Sequence, residues 1–207
     1  MKKLFGILFT VLIVFCISGN AKATVINCVF EGDITIAFDN TGTIDFTGIS
    51  SYSGSIVYDT SIADSLTLPS QLDHGRYSGA IKEFTVKIGS YEFSLLSSGF
   101  NEINVLDRTW DSIKFNADLV GPGAIGTIGA ELGLTDQDGL AFANDFLPEA
   151  LYLSDFDSPV RLLMGWSEDD FYLNGTNLTR FEPAGRVPEP CTMFLFGAGL
   201  AGFGVFR

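Results

Sequence analysis

Between Thr24 and Gly185, apolar residues recur at every second position in short runs, and this alternation constrains the fold more than any other feature of the chain. A period of two places successive side chains on opposite faces of an extended strand, so each run carries one face for a core and one for solvent. In "DITIAFD", Ile34, Ile36 and Phe38 fall on one side and Thr35 and Ala37 on the other; "TIDFTGI" continues with Ile44 and Phe46. In "KEFTVKIGSYEFSLL", Phe84, Val86 and Ile88 alternate with Glu83, Thr85 and Lys87, and the pattern resumes at Tyr91, Phe93 and Leu95. The intervening Gly89-Ser90 pair predicts a hairpin turn, as does Asn174-Gly175 in "DFYLNGTNLTRF", where both residues can take positive φ and close a type I′ turn.

Further strands are predicted in "FNEINVL", "SIKFNAD", "IGTIGAELGL" and "PVRLLMGW". Long helical periodicity is absent, and "DGLAFANDFLPEALYL" is the one stretch of the body where a short helix or turn competes. Many short alternating runs in a chain with 23 Gly and 19 Phe predict an all-β body, an antiparallel β-sandwich or jelly roll. No internal repeat is present, and the one boundary marker is the proline-rich "EPAGRVPEP". The predicted organisation is therefore a leader over residues 1–23, a sandwich domain over 24–185 and a terminal segment over 186–207.

The mean hydropathy of +0.29 is raised by the two ends of the chain. The first end has Lys2 and Lys3, an apolar run from Leu4 to Ile17, and Ala21 and Ala23 in an Ala-x-Ala arrangement. That is the layout of a secretory signal peptide cut after Ala23, which makes the Sec machinery a partner. The apolar run is shorter than the roughly 20 residues of a spanning helix, which disfavours an uncleaved anchor. Cleavage removes Lys2, Lys3 and Lys22, leaving nine Lys and Arg against 25 Asp and Glu, a formal charge of −16. So acidic a chain is unsuited to nucleic acid, whose phosphates require clustered basic side chains, and to anionic lipid surfaces. Of three cysteines, Cys16 leaves with the leader and Cys191 lies in the terminal segment. Cys28 is then alone in the body, a buried small hydrophobe in preference to a partner for Cys191 or another chain.

Signals for chemistry are sparse. The single histidine, His74, lies in the turn-like "LPSQLDHGRYSG" beside Asp73, and no nucleophile elbow accompanies it. One His and one body Cys cannot supply a zinc site. Carboxylate pairs such as Glu149 with Asp155, or Asp169 with Asp170, have no context that distinguishes a glycoside hydrolase. For calcium, "TDQDGL" places Asp136 and Asp138 two apart with Gly139 next, an oxygen-rich fragment that lacks the third ligand and closing Glu of an EF-hand. Asp155 with Asp157, and "SEDD", are similar fragments, and a solvated acidic loop is the competing reading. Trp110 and Trp166, with Tyr52, Tyr58, Tyr77 and Tyr172, would make a sugar-stacking platform if they shared one exposed surface; otherwise they are packing residues.

The second end reads "VPEPCTMFLFGAGLAGFGVFR". Thr192–Phe206 would be roughly 22 Å long as a helix, approaching a membrane span when the preceding residues are added. Gly197, Ala198, Ala201 and Gly202 make a small-residue face, and Arg207 is placed to act as a membrane stop. Val187, Pro188, Glu189 and Pro190, followed by a glycine-rich apolar segment and a terminal basic residue, resemble the PEP-CTERM sorting signal of exported proteins in Gram-negative bacteria that make extracellular polysaccharide. The resemblance covers about 20 residues. It implies that an exosortase, a membrane cysteine protease/transpeptidase, recognises Pro188-Glu189-Pro190, cuts nearby and releases or transfers the protein. The family usually ends in several arginines where this chain has only Arg207, and Cys191 stands where Ser or Ala is commoner. "GSIVYD", "YSGAIKEFTVKIG" and "NDFLPE" also resemble, more loosely, a body type found in such proteins, which implies no characterised activity. The expectation is an exported, non-enzymatic protein of the cell surface or exopolysaccharide matrix, membrane-anchored through its C-terminal helix before processing. Its role is structural or binding, with a lectin-like carbohydrate module and a secreted hydrolase as alternatives, and with exopolysaccharide as a possible partner.

Overall fold

The computed structural model describes residues 25–66, 73–157, 160–165 and 170–184. Leader, terminal segment and their site residues (Ala21, Ala23, Val187, Pro188, Glu189, Pro190, Arg207) lie outside these, as do Cys191, Trp166 and Asp169. Thr24–Gly185 forms one compact unit. Its described residues contain twelve strands: β1 (Val25–Asp33), β2 (Ile36–Asp39), β3 (Ser51–Asp59), β4 (His74–Ser78), β5 (Ile81–Ile88), β6 (Tyr91–Leu95), β7 (Asn101–Asp107), β8 (Asp111–Val120), β9 (Thr127–Asp136), β10 (Arg161–Met164), β11 (Phe171–Gly175) and β12 (Asn177–Pro183). Two single 3₁₀ turns, Gly123–Ile125 and Leu153–Asp155, are the only helical elements among these residues.

All pairings are antiparallel, as the alternation requires. The strands form one hydrogen-bonded sheet, β12-β1-β3-β5-β6-β8-β9-β10-β11-β2, with β4 attached through β7 to β8. The sandwich expectation of two separate sheets is thus met in a modified form: one open sheet curls until its halves face each other. The joint is narrow, since β6 meets β8 through only Ser94–Val120 and Leu95–Leu119. Rings cross between the halves, Tyr58 of β3 on Phe115 of β8 with centroids 5.6 Å apart, and Phe93 of β6 on Phe171 of β11 at 5.2 Å. These aromatics, with Ile56, Ile103, Ile113 and Leu132, are buried in a single core. Close ring contacts of this kind add to the burial of apolar surface that holds the halves together.

Strand parity follows the sequence where a strand is paired along both edges. Phe84, Val86, Ile88 and Phe93 are buried, Glu83 and Lys87 exposed. Gly89 sits at φ 60° in the first turn position between Ile88 and Tyr91, as a tight hairpin requires. At β2 the parity is reversed. Ile36 is exposed and Ala37 packs on the core, while Phe38 stacks outside on Tyr172. β2 is an edge strand paired only to β11, so one ladder sets its register and Asn174–Ile36 pairing decides which face turns in. Ile44 is buried from a loop, outside any strand. "DGLAFANDFLPEALYL" forms bends and irregular backbone, with no helix before Leu153.

The predicted hairpin at Asn174-Gly175 is absent. Both residues belong to β11, neither has positive φ, and β11 and β12 pair with different strands, β10 and β2 against β1. Glycine is needed at 175 for another reason: a Cβ there would collide with the Tyr52 ring and crowd the Asp33 carbonyl oxygen. Gly32 on β1 makes the same allowance on Tyr52. Gly175→Ala should therefore lower stability by about 1–3 kcal/mol through overpacking. In a Tyr52→Ala background most of that loss should vanish; equal losses in both backgrounds, measured by chemical denaturation, would show that the ring is not the cause.

Candidate functional site

The registers of β7, β8 and β9 bring three aspartates side by side at one rim of the sheet, Asp107 opposite Asp111 and Asp111 opposite Asp136. Directly opposed residues share a face, and along β8 and β9 that face is the core face, with Ile113 and Leu134 next inward. Asp111 is fully buried and Asp136 is 3 % exposed. A carboxylate so placed is costly unless donors reach it. The donors are backbone N–H groups of the strandless segment 137–152. Asp136 Oδ2 accepts from Leu140 at 2.8 Å and Ala141 at 3.0 Å, and its Oδ1 from Asp138 at 3.3 Å. Asp111 Oδ2 accepts from Phe142 at 2.8 Å, while its Oδ1 has no hydrogen-bond partner.

The same segment is held by its carbonyls. Tyr58 Oη donates to Pro148 O and Tyr77 Oη to Asp145 O, both at 2.8 Å. Gly75 of β4 leaves the space through which Asp145 O passes. Buried Leu147, Leu151 and Phe156 supply apolar contacts, with Phe142 edge-on to Phe156. Inward-facing side chains thus bind both kinds of backbone group in a loop that closes the rim.

Charge follows from this geometry. Burial by itself would raise the Asp136 carboxyl, but the N–H of Leu140, the side-chain hydrogen bond from Asp138 and the N–H groups of Asp138 and Ala141 outweigh it and hold the group below the usual carboxylate range. Asp138 is pushed up, first by its side-chain hydrogen bond with Asp136, then by burial and by the negative charge of Asp136 and Asp157. Asp107 is likewise raised, by burial and then by Asp111, Asp145 and Asp73. Burial lifts the Tyr58 and Tyr77 phenols well above their ordinary range, so both stay protonated donors.

Asp136 and Asp138, the candidate calcium ligands, are brought together with Asp155 and Asp157 around an open cleft of about 280 Å³. The Asp136 oxygens already serve the loop backbone, and Asp157 Oδ1 accepts from Gln137 N at 2.8 Å. Among the described residues no group of three or more His, Cys, Asp or Glu is arranged to hold a metal ion. Glu149 and Asp155 are both exposed, and Asp155 Oδ2 accepts from Tyr152 N. His74, expected in a turn, is half-buried on β4. Its neighbour Asp73 is bound by Arg108 through Nε–Oδ2 at 2.6 Å and Nη2–Oδ1 at 3.1 Å, which lowers its carboxyl. The condition for a sugar-stacking platform, one shared exposed surface, is not met among the described residues, and the packing reading holds for the buried tyrosines. Tyr52, Tyr58 and Tyr77 are buried, Tyr172 stacks on Phe38, and only Trp110 of the described set stands at the rim. Cys28 is a free thiol in the core, pushed up to about 12 by burial. Sequence reading missed Asp107, Asp111 and Tyr152; a strand-end aspartate in "TWDSIKF" was the available signal for Asp111.

Residues 186–207 match the family model of the PEP-CTERM protein-sorting motif. The match takes in Val187, Pro188, Glu189, Pro190 and Arg207, and it implies an exosortase-sorted exported protein that passes through a membrane-anchored stage. No curated protein and no solved structure matches the chain.

Two outcomes test the rim. Tyr58→Phe removes one donor and strands the Pro148 carbonyl, which should cost about 1–2 kcal/mol in urea denaturation; an unchanged midpoint would remove the clamp. Asp136, with its lowered carboxyl, contributes stability above the ordinary aspartate range that is lost as pH falls through its folded value. Asp138 acts with the opposite sign, so it opposes folding at neutral pH and ceases to do so in acid. Asp138→Asn should raise the thermal midpoint at pH 7 and leave it unchanged near about pH 3, below the ordinary aspartate value; a drop at pH 7 would contradict this.

Proposed function

We propose that the chain is an exported, non-catalytic protein whose C-terminal segment directs exosortase processing and whose acidic β body serves a structural or binding role at the cell surface or in the exopolysaccharide matrix. The observation that carries the reading is the PEP-CTERM match over residues 186–207. Within it, Val187, Pro188, Glu189 and Pro190 form the recognition element, the apolar Thr192–Phe206 the membrane anchor and Arg207 the stop. The Lys2/Lys3, apolar and Ala21-x-Ala23 pattern supplies the export signal that such sorting needs. A formal charge of −16 after leader removal suits a protein kept soluble among neutral or hydroxyl-rich polymers. Consistent with a non-catalytic body, the rim carboxylates Asp111 and Asp136 are engaged in holding backbone.

Replacing Pro188, Glu189 and Pro190 with alanine should leave an unprocessed, larger species in the membrane fraction by blot. Arrival of that variant outside the cell at the wild-type mature size would overturn the exosortase assignment.

A further inference from the structure

A continuous row of opposed residues runs across β4, β7, β8, β9 and β10: Arg76 pairs with Asn104, Asn104 with Lys114, Lys114 with Gly133, and Gly133 with Arg161. Directly opposed residues share a face. Their chain neighbours, among them Val105, Ile113, Phe115, Leu132 and Leu162, are buried in the core, so the row lies on the outer face of the sheet. Three of the seven Lys and Arg of the described residues stand in this one row. The other four, Lys82, Lys87, Arg108 and Arg180, each lie against their own acidic partners.

The next outward row holds Ser78, Glu102, Asn116 and Glu131. These carboxylates fix the cations without cancelling them. Glu102 lies 3.5 Å from Arg76 and accepts from Asn104 at 2.9 Å, and Glu131 is shared by Lys114 at 3.3 Å and Arg161 at 3.1 Å. Three cations on two carboxylates leave one positive charge in excess, in a chain that is strongly acidic. The side chains of Arg76, Lys114 and Arg161 remain between 42 and 49 % exposed, so each keeps donors for a further acceptor. The cations stand on alternate strands, two strand spacings or about 9.5 Å apart. Gly133 puts no side chain between Lys114 and Arg161.

We propose that this row binds a linear acidic polysaccharide that presents a carboxylate on every second sugar. The glycan crosses the strands with its carboxylates on Arg76, Lys114 and Arg161 and its hydroxyls on Asn104, Asn116 and Ser78. The proposal deepens the matrix reading above and rests on it. Two linked pyranose rings are comparable in length to two strand spacings, which lets successive carboxylates meet successive cations. A guanidinium gives a carboxylate paired, charge-assisted hydrogen bonds. The negative charge over the rest of the body repels such a polymer on contact, but is screened beyond about 8 Å at physiological ionic strength, so approach to the row stays open.

The test uses the full chain in detergent with oligomers of oxidised cellulose, a linear polyglucuronate, and unoxidised oligomers of the same length as the neutral control. Chelator is present throughout, so that no metal ion bridges the carboxylates. The wild type should bind the polyglucuronate and not the neutral oligomer, and added salt should weaken that binding. Lys114→Gln with Arg161→Gln should raise the Kd by about tenfold or more, the effect of losing hydrogen bonds between charged groups. Lys82→Gln with Lys87→Gln removes the same charge elsewhere and should leave the Kd unchanged. Equal loss in the two double variants, or no binding of polyglucuronate by the wild type, would overturn the row as a site. Equal binding of charged and neutral oligomers, unmoved by either double variant, would also overturn it while leaving a matrix-binding role standing. Tighter binding of polyglutamate than of polyglucuronate through the same residues would reassign the row to an acidic protein segment.

Discussion

The hydrogen bonds from inward-facing side chains to the backbone of residues 137–152 are the constraint on which the closed rim depends. A curled sheet leaves open ends, and an irregular segment laid across one must place its N–H and C=O groups somewhere. Here Asp111 and Asp136 accept from Leu140, Ala141 and Phe142, and Tyr58 and Tyr77 donate to Pro148 and Asp145, so these backbone groups are satisfied without joining a strand. The arrangement accounts for buried carboxylates in a body without a helix or metal cluster among its described residues. It also sets the charge pattern, with Asp136 held ionised and Asp107 and Asp138 raised by their acidic neighbours.

The same bonds divide the molecule into interior and display. The interior is a continuous apolar core in which Tyr58, Phe115 and Phe181 join the halves of the sheet. The display is whatever the pinned loop cannot bury, Leu140, Phe146 and Tyr152, next to Trp110.

Strands paired along both edges were legible in the sequence, because ladders on both sides hold one face to the core; Phe84 to Ile88 and the Gly89 turn are examples. β2 was misread because an edge strand has one partner to fix its face. Asn174-Gly175 was misread because glycine serves close ring approach as well as turns, and the ring, Tyr52, is remote in sequence. Asp136 and Asp138 were visible as an acidic pair, but their partners were not. Tyr58 meets Pro148 across 90 residues and Tyr77 meets Asp145 across 68, separations that no local pattern encodes. The terminal motif was legible in full, since a linear sorting signal is read by its sequence and position.

Amide hydrogen exchange at Leu140, Ala141 and Phe142 tests the pinned rim most directly. Acceptance by buried carboxylates predicts that these three amides are protected as strongly as strand amides of β8 and β9, and that Asp111→Ala releases Phe142 while Leu140 and Ala141 remain protected. Exchange of all three at the rate of an open loop in the wild-type protein would contradict the clamp and the display that depends on it.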